Sequence, residues 1–388
     1  MKEGWTVKEL KTMSKIMYGH TAKSSNEIKG PKYLRITDIQ NDNVDWNNVP
    51  SCPPLEDDYQ KYKLGFGDIV FARTGATTGK SFLVKKCPES VFASYLIRVQ
   101  SDQNEIYPDF LYMFFQSSAY WAVIESGISG SAQGGFNAKK LGTIPIPIPP
   151  LSEQKQIVAI LDETFTAINR AKANIEKNIE NARELFQNKL NEIFSQKGDG
   201  WEEKKLGQAC EISMGQSPKG TSYNSENVGT PLINGPVEFG SQPFSQTIMS
   251  KWTTEPTKLC AKGDLILCVR GSTTGRINIA GFNACIGRGV ASIRYKNNQE
   301  WLNYFIRFNQ KNIYNLGTGS TFPNVSKEIL SKMIFPEPST EKQNEFVGIM
   351  KSLDLDLENI EKNYIKKIVF LEHLKKSLLQ KAFAGELT

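Results

Sequence analysis

The residues able to do chemistry in this chain are few, and the first to weigh is Gly75-Ala76-Thr77-Thr78-Gly79-Lys80-Ser81. It approaches a phosphate loop but is one residue short of GxxxxGK[ST]. It also runs into Phe82-Leu83-Val84, a strand-like segment where a phosphate loop requires a helix. A second copy, Gly271-Ser272-Thr273-Thr274-Gly275-Arg276-Ile277, lacks both the lysine and the magnesium hydroxyl, so a P-loop NTPase is the weakest of the readings. Each run reads instead as a strand–turn–strand hairpin. Its tip offers hydroxyls (Thr74, Thr77, Thr78; Ser272, Thr273, Thr274), backbone N–H groups and one cation (Lys80; Arg276). Such groups suit phosphate contacts or insertion into a groove. A tight turn with a solvated lysine is the alternative, and presence in both copies sets the two readings level.

Two glycine-rich loops follow the same pattern in each half. The first leads to Gln133, Asn137, Lys139 and Lys140, the second to Asn324 and Lys327. Amide side chains can bond adenine bidentately and arginine does so with guanine, which adds the scarce arginines Arg35, Arg73, Arg270, Arg288 and Arg294 to the candidates. Each of these residues has an equally simple structural role as a loop former or an ion-pair partner. Cys52, Cys87, Cys210, Cys260, Cys268 and Cys285 form no CxxC pair, and only His20 and His373 are available. No zinc site is expected, and the thiols read as those of a reduced, cytoplasmic protein. No adenine-methylation motif, adenosylmethionine fingerprint, helicase set or nuclease cluster is present, and catalysis is not indicated.

The elements that must position these residues are arranged as a repeat. Gly4-Trp5 and Leu10 return as Gly200-Trp201 and Leu206, and Gly67-Asp68-Ile69-Val70 as Gly263-Asp264-Leu265-Ile266, in register with the two hairpins. Ile97-Arg98 is matched with Ile293-Arg294 at the same offset, and Pro150 and Glu153 with Pro338 and Glu341 at a shorter one. Within each half, short alternating runs such as Asp68–Ala72, Ser81–Val84 and Tyr95–Val99 predict strands. A single aromatic-rich helix is predicted after them, over 109–125 and 300–316.

Each half ends in a long amphipathic stretch. From Ser152 to Gln196 the apolar positions Leu161, Phe165, Ile168, Ile175, Ile179, Phe186 and Ile193 fall on a heptad, as do Leu353, Leu357, Ile360, Tyr364, Leu371, Leu374 and Leu378 near the end of the chain. A 45-residue helix spans on the order of 65 Å and needs a partner for its seam, so the two are expected to pair antiparallel within the chain. The implied class is α+β: two β-rich domains, residues 1–150 and 199–338, each followed by a long helix, 151–198 and 339–388, with an internal pseudo-twofold. The net charge of +6 resides in the two globular regions, which carry 17 Lys+Arg against 15 Asp+Glu and 15 against 11, while both helices are neutral. Nucleic-acid contact through the domains fits this distribution. No apolar run suggests a membrane span.

These features resemble the specificity subunits of type I restriction–modification systems. The resemblance rests on the paired Gly-Trp openings, the two Gly-Asp…Thr-Thr-Gly segments and Ile286-Gly287-Arg288-Gly289-Val290. It extends to Pro147-Ile148-Pro149-Pro150-Leu151-Ser152-Glu153-Gln154 and to the terminal Ser377-Leu378-Leu379-Gln380-Lys381-Ala382-Phe383. It covers essentially the whole chain, with a degenerate second copy at Phe335-Pro336-Glu337-Pro338. It implies a non-catalytic subunit in which each domain recognises half of a bipartite duplex DNA site. The paired helices would set the spacer and dock two methyltransferase subunits, with restriction subunits joining through the complex. Adenosylmethionine, ATP and magnesium would then belong to those partners, and this chain would bind no cofactor. The competing reading is a coiled-coil scaffold that joins proteins without touching DNA.

Overall fold

The computed structural model describes residues 2–40, 42–129, 135–195, 201–319 and 323–388. It forms two compact units, Met1–Ile175 with Ile365–Thr388, and Glu176–Tyr364. Two 45-residue helices, Leu151–Ser195 and Thr340–Ala384, each contribute to both units.

In the first unit an antiparallel four-stranded sheet is built from β1 (Ser14–Tyr18), β2 (Ile69–Ala72), β3 (Ser81–Leu83) and β4 (Leu96–Ser101), in the order β1-β4-β2-β3. β2 is buried on both faces. Ile69 and Phe71 join the core that reaches the long helices at Ile157, Leu161, Leu379 and Ala382, and Val70 and Ala72 pack into a second cluster with Leu34, Phe82 and Phe92. Two further strands, Lys32–Leu34 and Ser90–Phe92, pair in parallel. Thr6–Glu9 pairs with Pro145–Ile148, the proline-rich run just before the first long helix. Pro145 and Pro147 lack N–H donors, which this two-stranded edge tolerates.

The second unit repeats the plan. β5 (Glu211–Met214), β6 (Leu265–Cys268), β7 (Ile277–Ile279) and β8 (Val290–Arg294) are ordered β5-β8-β6-β7. Thr230–Ile233 and Ala284–Ile286 form the parallel pair, and Glu202–Lys205 lies against Ile334–Glu337. Its core joins Leu265, Leu267, Trp301 and Phe305 to Phe186, Leu190, Ile193 and Met350 of the helices.

Within each unit the two long-helix segments run antiparallel. In the first, the Thr388 hydroxyl donates to Glu153 at 2.6 Å and Lys172 pairs with Glu372. In the second, Arg183 meets Glu361 at 2.7 Å and Asn178 reaches the Tyr364 hydroxyl at 3.5 Å. Leu161, Phe165, Ile168, Ile175, Ile179, Phe186 and Ile193 lie on the covered side, as do Leu353, Leu357, Tyr364, Leu371 and Leu378. Ile360 and Leu374 do not: they are 37% and 36% exposed. The covered face steps through Leu357, Glu361, Tyr364, Ile368, Leu371, Lys375 and Leu378, so these two expected seam residues sit one position off it. The seam is therefore more polar than its sequence suggests, with Glu361 neutralised by Arg183 and Lys375 lying 5.0 Å over the Phe165 ring.

Three expectations are corrected. The aromatic helix of the first unit is two helices, Pro108–Phe114 and Ser118–Ser129, because Ser117 intervenes and its hydroxyl accepts the Tyr120 N–H at 3.3 Å, capping the second. Its counterpart, Gln299–Leu316, is continuous. The match of Arg98 with Arg294 is two residues out. Ladder register places Val99 opposite Ile69 and Ile293 opposite Leu265, so Arg98 corresponds to Ser292 and Gln100 to Arg294. A slip of two keeps the same face of the strand. In consequence both domains bury an aspartate facing the same two positions, with the arginine at alternate sites. Asp68 takes Arg98 at 3.6 Å and Gln100 at 3.3 Å, whereas Asp264 takes Arg294 at 2.6 Å and Ser292 at 3.1 Å. Lastly, Gln154 and Gln343 each turn back to the carbonyl five residues earlier, Pro149 at 2.9 Å and Pro338 at 2.8 Å. That pairs Pro338 with Pro149, not Pro150.

Candidate nucleic-acid interface

The two hairpins are built alike, and most of their shared residues serve the turn itself. In the first, Gly75 and Gly79 hold φ of +75° and +95°, which only glycine adopts freely. The Thr78 hydroxyl donates to the Gly75 carbonyl at 2.7 Å. A Cβ on Gly79 would stand 2.8 Å from Ile124 and Trp121, and the Gly79 carbonyl accepts the Tyr120 hydroxyl at 2.6 Å. In the second, the Thr274 hydroxyl faces the carbonyls of Gly271 at 2.8 Å and Pro323 at 3.1 Å, while Gln310 donates to the Gly275 carbonyl at 2.8 Å. Thr78 and Thr274 are buried. They close the turns and are not presented to a ligand, contrary to their place among the expected contacts. No helix follows either turn, as the strands β3 and β7 do so directly.

What the tips leave outward is cationic. Lys80, Arg276, Arg270 and Ser272 are exposed, and Thr74, Thr77 and Thr273 are half-buried. Around the first tip, the Arg73 guanidinium lies 4.8 Å over the Tyr18 ring, while the Arg73 backbone N–H donates to the Tyr95 carbonyl at 3.2 Å and the Arg73 backbone carbonyl accepts the Phe136 N–H at 2.9 Å. The Tyr18 hydroxyl accepts the Ala138 N–H at 3.0 Å. Arg73, Lys139 and the exposed ring of Tyr95 are thus brought to one edge. Asn137 and Lys140 lie beside them and have partners within the protein: Asn137 caps the helix Ala138–Gly142 and Lys140 donates to the Gly127 carbonyl at 2.8 Å. Arg35 is held by both Asp38 oxygens, at 3.0 and 2.7 Å, which raises its pKa. Gln133 lies outside the described residues.

Around the second tip, Arg270 bridges to Asn324, Val269 donates to the Gly289 carbonyl at 2.9 Å and Arg288 donates through its backbone to the Ser217 hydroxyl at 3.2 Å. These bonds gather the exposed Arg270, Arg288 and Asn324. Arg294 lies four residues along β8 in its ion pair, and Lys327 lines a separate cleft with Glu211, Asp264 and Arg294, so neither belongs to this cluster. Residues that sequence reasoning missed are Tyr18 and Tyr95. Their rings are 39% and 62% exposed, and their places at strand ends beside Arg73 put them at the surface.

Among the described residues no group of His, Cys, Asp and Glu could hold a metal ion, and no helix is long and apolar enough to cross a membrane. Burial pushes the thiols of Cys210 up to about 12 and of Cys260 and Cys268 to about 11, far from nucleophile behaviour.

Comparison with known proteins bears on the family and the fold. The family model of the type I restriction modification DNA specificity domain matches twice, over residues 2–181 and 198–368. The chain is 30% identical to a putative type I restriction enzyme MjaX specificity subunit of Methanocaldococcus jannaschii, over 94% of this chain and 91% of that one. The fold is shared with a chain from a solved type I R-M system (TM-score 0.84, 22% identity, 100% and 99% of the two chains). It is also shared with the HsdS subunit of Thermoanaerobacter tengcongensis (0.63, 22%, 99% and 98%). The doubled family match and this relative place the chain in the type I restriction–modification DNA specificity family, as a specificity subunit with two target recognition domains.

Proposed function

We propose that each recognition domain of this subunit contacts one half of a bipartite duplex DNA site through the cations that its hairpin tip and neighbouring loops leave without a carboxylate partner among the described residues. The observation that carries this reading is the sorting of arginines in the second unit. Arg183, Arg294 and Arg307 are paired with carboxylates, whereas Arg270, Arg276 and Arg288 are exposed at one end of β6, β7 and β8. Unpaired cations beside backbone N–H groups are what phosphate contact requires. The contact set is Arg73, Lys80 and Lys139 with Thr74 and Thr77 in the first domain, and Arg270, Arg276, Arg288 and Asn324 with Ser272 and Thr273 in the second.

The long helices, unbroken through both units, set the spacer between half-sites and dock two methyltransferase subunits. Ile365, Val369 and Phe370 support the docking role: they are half or more exposed on the outer side of the second helix, an apolar stripe of the kind that partners cover. Adenine methylation, and cleavage by restriction subunits, belong to those partners with their adenosylmethionine, ATP and magnesium. This chain is non-catalytic and cytoplasmic.

A mobility-shift titration of the complex reconstituted with its methyltransferase subunits tests the reading. Binding is expected to prefer a split site and to fall with salt at a slope of about −0.9 per phosphate neutralised. Exchanging residues 1–150 for another such domain should change one half-site only. Binding with neither site preference nor salt slope would leave the protein-joining scaffold as the answer.

A further inference from the structure

In the second unit a buried carboxylate holds a surface turn in place. Glu238 is 2% exposed. Its carboxylate accepts the N–H groups of Asn234 at 3.2 Å and Gly235 at 3.1 Å and the Ser250 hydroxyl at 3.1 Å, and its carbonyl takes the Ile248 N–H at 2.8 Å. Pro236 fixes φ at the start of the same turn, Pro236–Glu238. The apex held this rigidly is Val237, which is 71% exposed, and beside it Ile248 and Met249 are 52% exposed each.

The position of the turn matters as much as its rigidity. On one side Asn234 packs against the glycines that flank Arg288: a Cβ on Gly287 would stand 2.0 Å from the Asn234 amide oxygen, and one on Gly289 2.5 Å from its carbonyl. On the other side Arg276 lies 5.8 Å over the Phe239 ring and donates to the Gly240 carbonyl at 3.3 Å. The segment that carries the exposed valine thus runs from the glycines flanking Arg288 to the residues under Arg276, and the carboxylate next to it in sequence, Glu238, is turned inward and bonded. An apolar tip set among cations fits the major groove. There the thymine C5-methyl is the apolar feature of the base edges, and the flanking phosphates demand positive charge.

We propose that Val237, with Ile248 and Met249, is the apolar reader of the second recognition domain and contacts a thymine methyl group, while Arg276 and Arg288 hold the adjoining backbone. This rests on the DNA-contact reading above. The test uses the complex reconstituted with its methyltransferase subunits and the split site found by sequencing methylated DNA. Each thymine of that site is replaced in turn by deoxyuridine, which removes the methyl and keeps every hydrogen bond, and affinity is read by fluorescence anisotropy. One replacement should weaken the wild-type complex about fourfold, the value of one methyl-sized group taken from water. The Val237→Ala complex should bind thymine and deoxyuridine alike, and Val237→Ile should restore the difference. The inference is overturned if no deoxyuridine matters to the wild type, or if Val237→Ala stays as sensitive. A wild-type complex with no site preference at all fails the DNA-contact reading itself, a distinct result.

Discussion

The two domains solve one problem with the arginine in different places, and exchanging the solutions is a stringent test of that strand register. In the first domain the Arg98 guanidinium, 7% exposed, lies 3.6 Å from Asp68 and donates to the carbonyls of Lys63 at 2.6 Å and Lys61 at 3.1 Å. Arg98→Ser removes those donors and leaves a buried carboxylate with only the Gly65 N–H and Gln100. Breaking such a pair costs about 3–5 kcal/mol. Adding Gln100→Arg recreates the second domain's arrangement, in which the arginine stands directly across the ladder from the aspartate. A charge-assisted bond regained is worth about 1.5–3 kcal/mol. The rescue stays partial because the Lys61 and Lys63 carbonyls still lack a donor.

Hydrogen exchange of the β2 and β4 amides reads this domain without assuming that the whole chain unfolds in one step. The single variant should exchange at least a hundredfold faster than wild type, and the double variant should recover about tenfold or more at 1.36 kcal/mol per decade. The sign of the pH dependence follows from Asp68, whose pKa is raised by burial against the lowering by Gly65 and Arg98. A carboxyl raised in the folded state costs stability when it ionises. The deficit of Arg98→Ser should therefore be full at neutral pH and narrow as pH falls into the carboxylate range. A double variant that exchanges as fast as the single one would refute the alternate-arginine pairing.

The hairpins offer a contrast between hydroxyl and cation. Thr78→Ala and Thr274→Ala should destabilise their domains by about 1 kcal/mol each in thermal unfolding. Lys80→Ala should leave stability unchanged, and both Lys80→Ala and Arg276→Ala should weaken DNA binding at every site and lower the salt slope by about one. Wild-type binding by the cation variants would make those tips structural. Inserting seven residues after Asn178, with seven more after Tyr364 opposite, keeps the heptad and adds about 10 Å of helix. The preferred spacer should then lengthen by about three base pairs at 3.4 Å each, and an unchanged spacer in methylation sequencing rules out the ruler. Of the six cysteines, Cys87 alone is half-buried and the rest are buried. A colorimetric thiol titration of the native chain should therefore find one fast thiol, becoming six in denaturant, and rapid reaction at Cys268 would contradict its burial.

The repeat, the hairpins and the long helices were legible in the amino-acid order because each depends on local rules. Glycines mark positive φ, alternation marks strands, and a heptad marks a seam. The family could be identified for the same reason, since the doubled order of motifs survives where single residues drift. What the sequence could not separate was Thr78 from Thr77, or Arg294 from Arg288. Each pair has the same chemistry and nearly the same neighbours, and only packing against Gly75, Pro323 or Asp264 decides which member faces inward. Pairing register likewise lay beyond it, because a two-residue slip leaves the alternation of β4 and β8 intact and aligns two arginines that occupy different sites. Ile360 and Leu374 fall off the seam because the covered face is set by the packing of both helices, through Glu361 and Lys375, while a single strand of sequence shows only apolar spacing. Local periodicity determined the elements of this subunit; which of their side chains remain free for DNA was decided by long-range contacts that no stretch of sequence contains.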